Sequence, residues 1–280
     1  MHLDVVDLHS FYYRTKLGRI AQRALREKIV QMWPNTKGQT VVGFGFAGPM
    51  LRPFLADSRR VMNLMPGQQG VMPWPDLLPN HSVMVEETLW PVATGTVDRL
   101  IVLHGLETCE RQSDLLSEIW RVLGPGGAAL FVVPNRTGLW ARRDKTPFGF
   151  GRPYSLGQLE SQLRKHKFVP LRHVSALFSP PSHKSWVVRS ANWFERYGSK
   201  ASFILPAGAV MVEATKQVHA PKRGGMAEAV RKPLEALHGV TKPAGKPISG
   251  REAKPIKQRW INNEFLDLFT KETLAQSAGS

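Results

Sequence analysis

Leu17, Ile20, Ala21, Ala24, Leu25, Ile29 and Met32 fall at three- and four-residue steps among arginines and lysines. That stripe predicts an amphipathic helix over the second half of residues 4–33, closed by Pro34. From residue 40 the pattern changes to short apolar runs: Thr40–Phe46, Arg60–Met65, Ser82–Val85, Val97–His104, Ala128–Val133, Phe168–Leu171 and Ala209–Ala214. Runs of that length bounded by Gly, Pro and polar residues read as buried strands. Helical faces separate several of them. Met50–Leu55 suits a short helix, and Leu115, Leu116, Ile119, Trp120 and Leu123 share one face before the stop at Gly124–Gly127. Ser155 and Gln158 open a capping box ahead of Leu156, Leu159 and Leu163. Strands alternating with helices predict a parallel α/β sheet.

The pattern lapses after His219. Residues 220–259 hold five Pro, ten Lys or Arg and three Glu, with few large apolar groups. Such a stretch buries too little surface to offset its ordering entropy, so it is expected to be a disordered basic linker. Trp260, Phe265, Leu268 and Phe269 then restore helical spacing. The organisation expected is a helical segment over 1–34, an α/β domain over 35–218, a linker over 219–259 and a short amphipathic helix and tail over 260–280.

Composition narrows the classes. One cysteine, Cys109, excludes an intramolecular disulfide and a cysteine-rich zinc site, so no metal is expected. The N-terminus lacks a basic and apolar leader, and no apolar run approaches membrane-spanning length. A cytoplasmic protein with no membrane partner is expected. The net charge of +16 points to an anionic partner. It is spread over the chain, however, with 27 basic and 16 acidic residues before position 220 and 11 and 6 after it. Nucleic acid is therefore weakly supported, through the basic linker alone. The apolar stripe beyond it suits either a docking peptide for a protein partner or packing on its own domain.

Gly43–Gly48 satisfies G-x-G-x-x-G directly after the first strand. Glycines there let a ligand approach the backbone, and a following helix start favours anions. A dinucleotide site also needs an acid about 20 residues on to hold the ribose. Residues 61–70 contain none, although Arg59 or Arg60 would suit a 2′-phosphate.

The downstream motifs point elsewhere. Asp98–Glu107 (DRLIVLHGLE), followed by Trp120–Val133 (WRVLGPGGAALFVV), resembles class I S-adenosylmethionine-dependent methyltransferases, type 11 branch, in content and order. The resemblance spans roughly residues 35–215, and Arg121–Gly127 is its most specific part. It implies a Rossmann-like, seven-stranded, mostly parallel sheet with helices on both faces and the last strand antiparallel. It also implies S-adenosylmethionine as cofactor, lying across the carboxyl ends of the first four strands. By position, Gly45 and Ala47 would line the methionine part, Gly43 and Gly48 would shape the turn, and Met65 would face the ribose. Glu86 or Glu87 would meet the adenine, and His104 would lie beneath the sulfonium.

This chain departs from the family where Gly43 and Met65 replace the usual acids and Ala47 replaces a glycine. Losing a carboxylate–diol contact costs about 1–3 kcal/mol, a ten- to hundredfold loss of affinity. Two expectations stay open: a methyltransferase with a modified cofactor pocket acting on a small or anionic acceptor, or a catalytically silent methyltransferase-fold binding or regulatory protein. Methyl transfer itself needs mostly positioning, with a base where the nucleophile is protonated. His104 and Glu107 are the candidates for it, each with an ordinary structural alternative: a hydrogen-bonded histidine at a strand end, and a carboxylate at a helix start. No Asn-Pro-Pro-Tyr type motif is present. The long connection after the fifth strand, residues 135–154, is rich in Arg, Gly and aromatics. By resemblance it forms the acceptor site, with Asn135, Arg136, Arg152 and Tyr154 as candidates.

Overall fold

The computed structural model describes residues 3–142, 146–182, 190, 193–195, 198 and 206–216. They contribute seven strands to one sheet: β1 (Thr40–Gly45), β2 (Arg60–Pro66), β3 (Ser82–Val85), β4 (Val97–Leu103), β5 (Leu123–Pro134), β6 (Phe168–Ala176) and β7 (Ala209–Lys216). The order is β3-β2-β1-β4-β5-β7-β6. Strands β1 to β5 pair in parallel, and β7 runs antiparallel between β5 and β6. This is the Rossmann-like sheet expected, and its order differs from the 3-2-1-4-5-6 of dinucleotide dehydrogenases. The order reverses between β1 and β4, so the crevice beyond their carboxyl ends is the natural ligand site.

Alternation along the strands sends side chains to two cores. Val41, Ile101, Leu103, Leu130 and Met211 face one, with helix α2 (Lys16–Met32). Val42, Phe44, Leu100, Val102 and Phe131 face the other, with helices α4 (Gln112–Val122) and α5 (Leu156–Lys165). Helix α2 buries Leu17, Ala21, Ala24, Leu25, Ile29 and Met32, the predicted stripe without Ile20. Residues 3–33 therefore contribute to the core of the sheet. Glu213 on β7 accepts a 2.7 Å hydrogen bond from Trp33 Nε1 and pairs with Arg172 of β6, which also donates to the Met32 carbonyl. The end of α2 is thereby fixed to the antiparallel edge.

Four element boundaries differ from the sequence reading. The first half of residues 4–33 is also helical: α1 (Val5–His9), capped by Asp4, runs into a wide π-type turn over Ser10–Arg14. The short helix after β1, α3, spans Gly48–Leu51 and passes into a 3-10 turn at Arg52–Phe54. Gly124–Gly127 belongs to β5, because a Cβ at Gly127 would press on the Val97 carbonyl at 2.7 Å. Glycine here brings two strands together instead of stopping one. Finally, β6 extends to Ala176 because it pairs with β7 over that length. Among the described residues no helix is long and apolar enough to cross a membrane. Positions 219–280, including the Trp260–Phe269 stripe, lie outside the described residues, as does Arg143.

Candidate active site

The carboxyl ends of β1, β2 and β4 meet at the glycine turn. Gly45 ends β1 with φ of +79°, and a Cβ there would collide with the Leu103 carbonyl. The Phe46 amide donates to that carbonyl at 2.8 Å, so turn and strand end are one unit. Gly43 plays another part. A Cβ at Gly43 would lie 2.7 Å from Ala47 Cβ and 2.8 Å from Leu51 Cδ1. The space of the family acid is occupied by α3, which excludes a carboxylate there without repacking.

His104 turns the chain at the end of β4 with φ of +52°. Its ring is fully buried. Nδ1 lies 3.1 Å from Glu107 Oε1, and Nε2 lies 2.8 Å from the Tyr12 hydroxyl. With Glu107 ionised, Nδ1 donates to it and Nε2 accepts from Tyr12. The second carboxylate oxygen of Glu107 is buried without a hydrogen-bond partner. Burial, and then the charge of Glu107, push the Tyr12 hydroxyl well above its ordinary pKa, so it stays a neutral donor. Phe148, from the connection after β5, stands edge-on to the imidazole at 4.8 Å between centroids. The two base candidates therefore do come together, inside a closed box.

Elements that the sequence pattern left anonymous form that box. Gln69, in the loop after β2, donates from Nε2 to the His104 carbonyl at 2.9 Å, and its carbonyl accepts from the Val5 amide at 2.7 Å. Tyr12 stacks on Phe46 at 5.7 Å between centroids. Trp74 lies where a Cβ on Gly48 would touch its indole at 3.2 Å. Beside it, Tyr13, Phe46, Gly48, Pro49, Asn63, Met65, Met72 and Trp74 line a small cavity, partly open to solvent, with room for about one water molecule. Asn63 Oδ1 is buried there without a partner. Arg26, half-buried, donates to the Pro49 carbonyl and, with Arg52, acts electrostatically on Tyr13.

The other predicted residues are distributed differently. Met65 and Ala47 are buried beside the turn, and Glu86 is exposed in a bridge to Leu89. Glu87 instead accepts from the Cys109 thiol at 3.3 Å, among the residues of the other core. In this arrangement the Glu87 carboxylate is buried with the thiol. Tyr154 is buried in the second core, with hydrogen bonds to Gln112 and Gln162. Asn135 donates to the Ala207 carbonyl and Arg136 to the Pro153 carbonyl, so both hold the connection itself. Arg152 is exposed, with its amide on the Glu107 carbonyl at 2.9 Å. Tyr12, Gln69, Trp74 and Phe148 escaped the sequence reading as site residues. Tyr12 lies 92 positions from its partner, and only the aromatic content of the loops hinted at the rest.

Comparison with known proteins follows this geometry. Residues 43–131 match the family described as a methyltransferase domain. A Thermotoga maritima S-adenosylmethionine-dependent methyltransferase superposes with a TM-score of 0.51 at 16% identity, covering 72% of this chain and 92% of its own. A Haloferax volcanii protein, solved in complex with the Trm112 methyltransferase activator, gives 0.54 at 17% identity, with 77% and 98% covered. At such identity the likeness establishes the fold alone. No curated protein matches the sequence.

Proposed function

We propose, on the match of residues 43–131 to the methyltransferase-domain family, that this chain is an S-adenosylmethionine-dependent methyltransferase acting on a small or anionic acceptor. One observation carries the proposal. The glycine turn is hydrogen-bonded to the end of β4, where the two base candidates, His104 and Glu107, are hydrogen-bonded to each other.

The residues at the turn fit the cofactor once their cover is displaced. Gly48 leaves room beside the backbone where Trp74 now lies. Asn63 Oδ1, buried and unpaired, would accept from a ribose hydroxyl in place of the absent acid. Arg26 and Arg52 would face the carboxylate, and Phe46, Met65 and Met72 offer an apolar wall. The present cavity has room for about one water molecule, far short of the roughly 300 Å3 at which small-molecule sites begin, so the cofactor would enter only with the cover displaced. When bound, the cofactor supplies the electrophilic methyl group.

The chain's own residues then have defined tasks. Glu107 holds the His104 tautomer by accepting a hydrogen bond from Nδ1–H, leaving Nε2 as the unprotonated nitrogen. Nε2, freed from Tyr12, removes the proton of an acceptor hydroxyl or amine. Phe148 and the burial of the box exclude water. Arg152, exposed on the connection after β5, would meet an anionic acceptor.

Calorimetric titration with S-adenosylhomocysteine tests the proposal. Micromolar or weaker binding, abolished by Gly45→Val, is expected. Arg152→Ala should leave that affinity unchanged while raising the KM of an anionic acceptor. Absence of binding by both the native protein and a variant with an opened site would refute it.

A second reading has its own support. Leu51 and Ala47 fill the place of the family acid at Gly43. A site that has repacked around this loss suits a silent methyltransferase-fold protein that binds a partner, and the same titration separates the two readings.

A further inference from the structure

We propose that residues 3–14 form a hinged cover over the glycine turn, and that its opening admits ligands to His104. The inference rests on the cofactor reading above and concerns the regulation of that site.

Three contacts seat the cover on the carboxyl edge, each on a different strand end. Tyr12 bonds His104 beyond β4 and stacks on Phe46 beyond β1. Val5 bonds Gln69 beyond β2, and its Cγ1 lies where a Cβ on Gly70 would come within 2.9 Å. Tyr13 supplies one wall of the cavity. The cover also competes directly with an acceptor, because the Tyr12 hydroxyl occupies the nitrogen that a substrate proton must reach.

The segment is built to detach from α2 without unfolding it. Thr15 is extended, at φ of −94° and ψ of 147°, and its hydroxyl caps α2 by accepting from the Gly18 amide at 2.9 Å. The start of α2 thus keeps its cap whether or not the cover is seated. The π-type turn before Thr15 widens the chain where the two pieces meet, a feature that recurs at functional places. Gly18 is the seat. A Cβ there would collide with the Phe11 carbonyl, which also accepts from the Thr15 hydroxyl at 2.8 Å.

Alanine at position 18 therefore unseats the cover while improving the helical propensity of α2. Tyr12→Phe removes the anchoring hydrogen bond by an independent route. Amide hydrogen exchange of residues 5–14, β1 and β4 is measured in the full chain, in Gly18→Ala and in Tyr12→Phe, beside calorimetry with S-adenosylhomocysteine. Exchange over 5–14 should rise about five- to tenfold in Tyr12→Phe and at least as much in Gly18→Ala, with β1 and β4 unchanged. Affinity should rise by the same factor, since apparent affinity scales with the open fraction. Exchange over 5–14 that stays as slow as β1 in all three proteins refutes the cover. Unchanged affinity in variants that exchange faster refutes its gating of the site. Faster exchange without binding by any of the three supports the cover and refutes the cofactor reading instead.

Discussion

The Tyr12 hydroxyl lies 2.8 Å from Nε2 of His104, a residue 92 positions further along the chain. This bond joins the N-terminal segment to the strand end that carries the candidate base, and Glu107 completes the line at 3.1 Å on the other ring nitrogen. Replacing His104 by Ala strands a buried hydroxyl and a buried carboxylate together. The expected loss is about 3 kcal/mol, read by urea denaturation. Adding Glu107→Gln to His104→Ala should recover part of it, because a neutral amide replaces an unpaired buried charge. No recovery would mean that Glu107 is not held as a charge in the variant.

Gly45 combines a left-handed backbone with a close approach to the Leu103 carbonyl. Alanine there meets both penalties at once, so Gly45→Ala should cost about 2–3 kcal/mol. Equilibrium unfolding checks it. A neutral result would show that β1 and β4 separate readily at this end.

Cys109 is buried beside Glu87, and burial followed by the carboxylate pushes its thiol up to about 12. At pH 8 its thiolate is about a thousandfold rarer than that of an ordinary cysteine. The native protein should therefore react slowly with a disulfide reagent, and the denatured protein at once. Fast labelling of the native chain would contradict the pairing with Glu87.

Tyr154 titrates near 12 in the fold, raised by burial and then by Glu107, against about 10 when unfolded. A raised acid pKa contributes stability that is fully present below pH 10 and is lost as pH climbs through 12. Tyr12 is shifted the same way. Unfolding free energy should fall from pH 10 upward, less steeply in Tyr154→Phe. Equal slopes in the two proteins would place Tyr154 in solvent.

The sequence by itself determined the sheet. Leu100–Leu103 and Ala128–Val133 read as buried strands because they are short apolar runs, rich in Val, Ile and Leu or bounded by glycine, and too short for a buried helix. The helical stripe from Leu17 to Met32 and the capping box at Ser155 were legible for the same local reason: adjacent positions carry the whole signal. His104 and Glu107 can each be named from the sequence, but their hydrogen bond depends on the left-handed turn of the chain at His104.

Tertiary structure decided what covers and fills the site. Gly43 and Gly48 look alike as letters, yet Leu51 packs against one and Trp74 against the other. Tyr154 is a candidate ligand residue through the resemblance of its loop to the family's acceptor segment. Its hydroxyl finds Gln112 and Gln162, which only the fold brings near. Tyr12 read as part of an unremarkable N-terminus, and became the partner of His104 because the wide turn over Ser10–Arg14 folds it back over the crevice. Local pattern fixes which residues are buried. Which buried groups face each other depends on contacts between distant segments, and single-sequence periodicity carries no record of those.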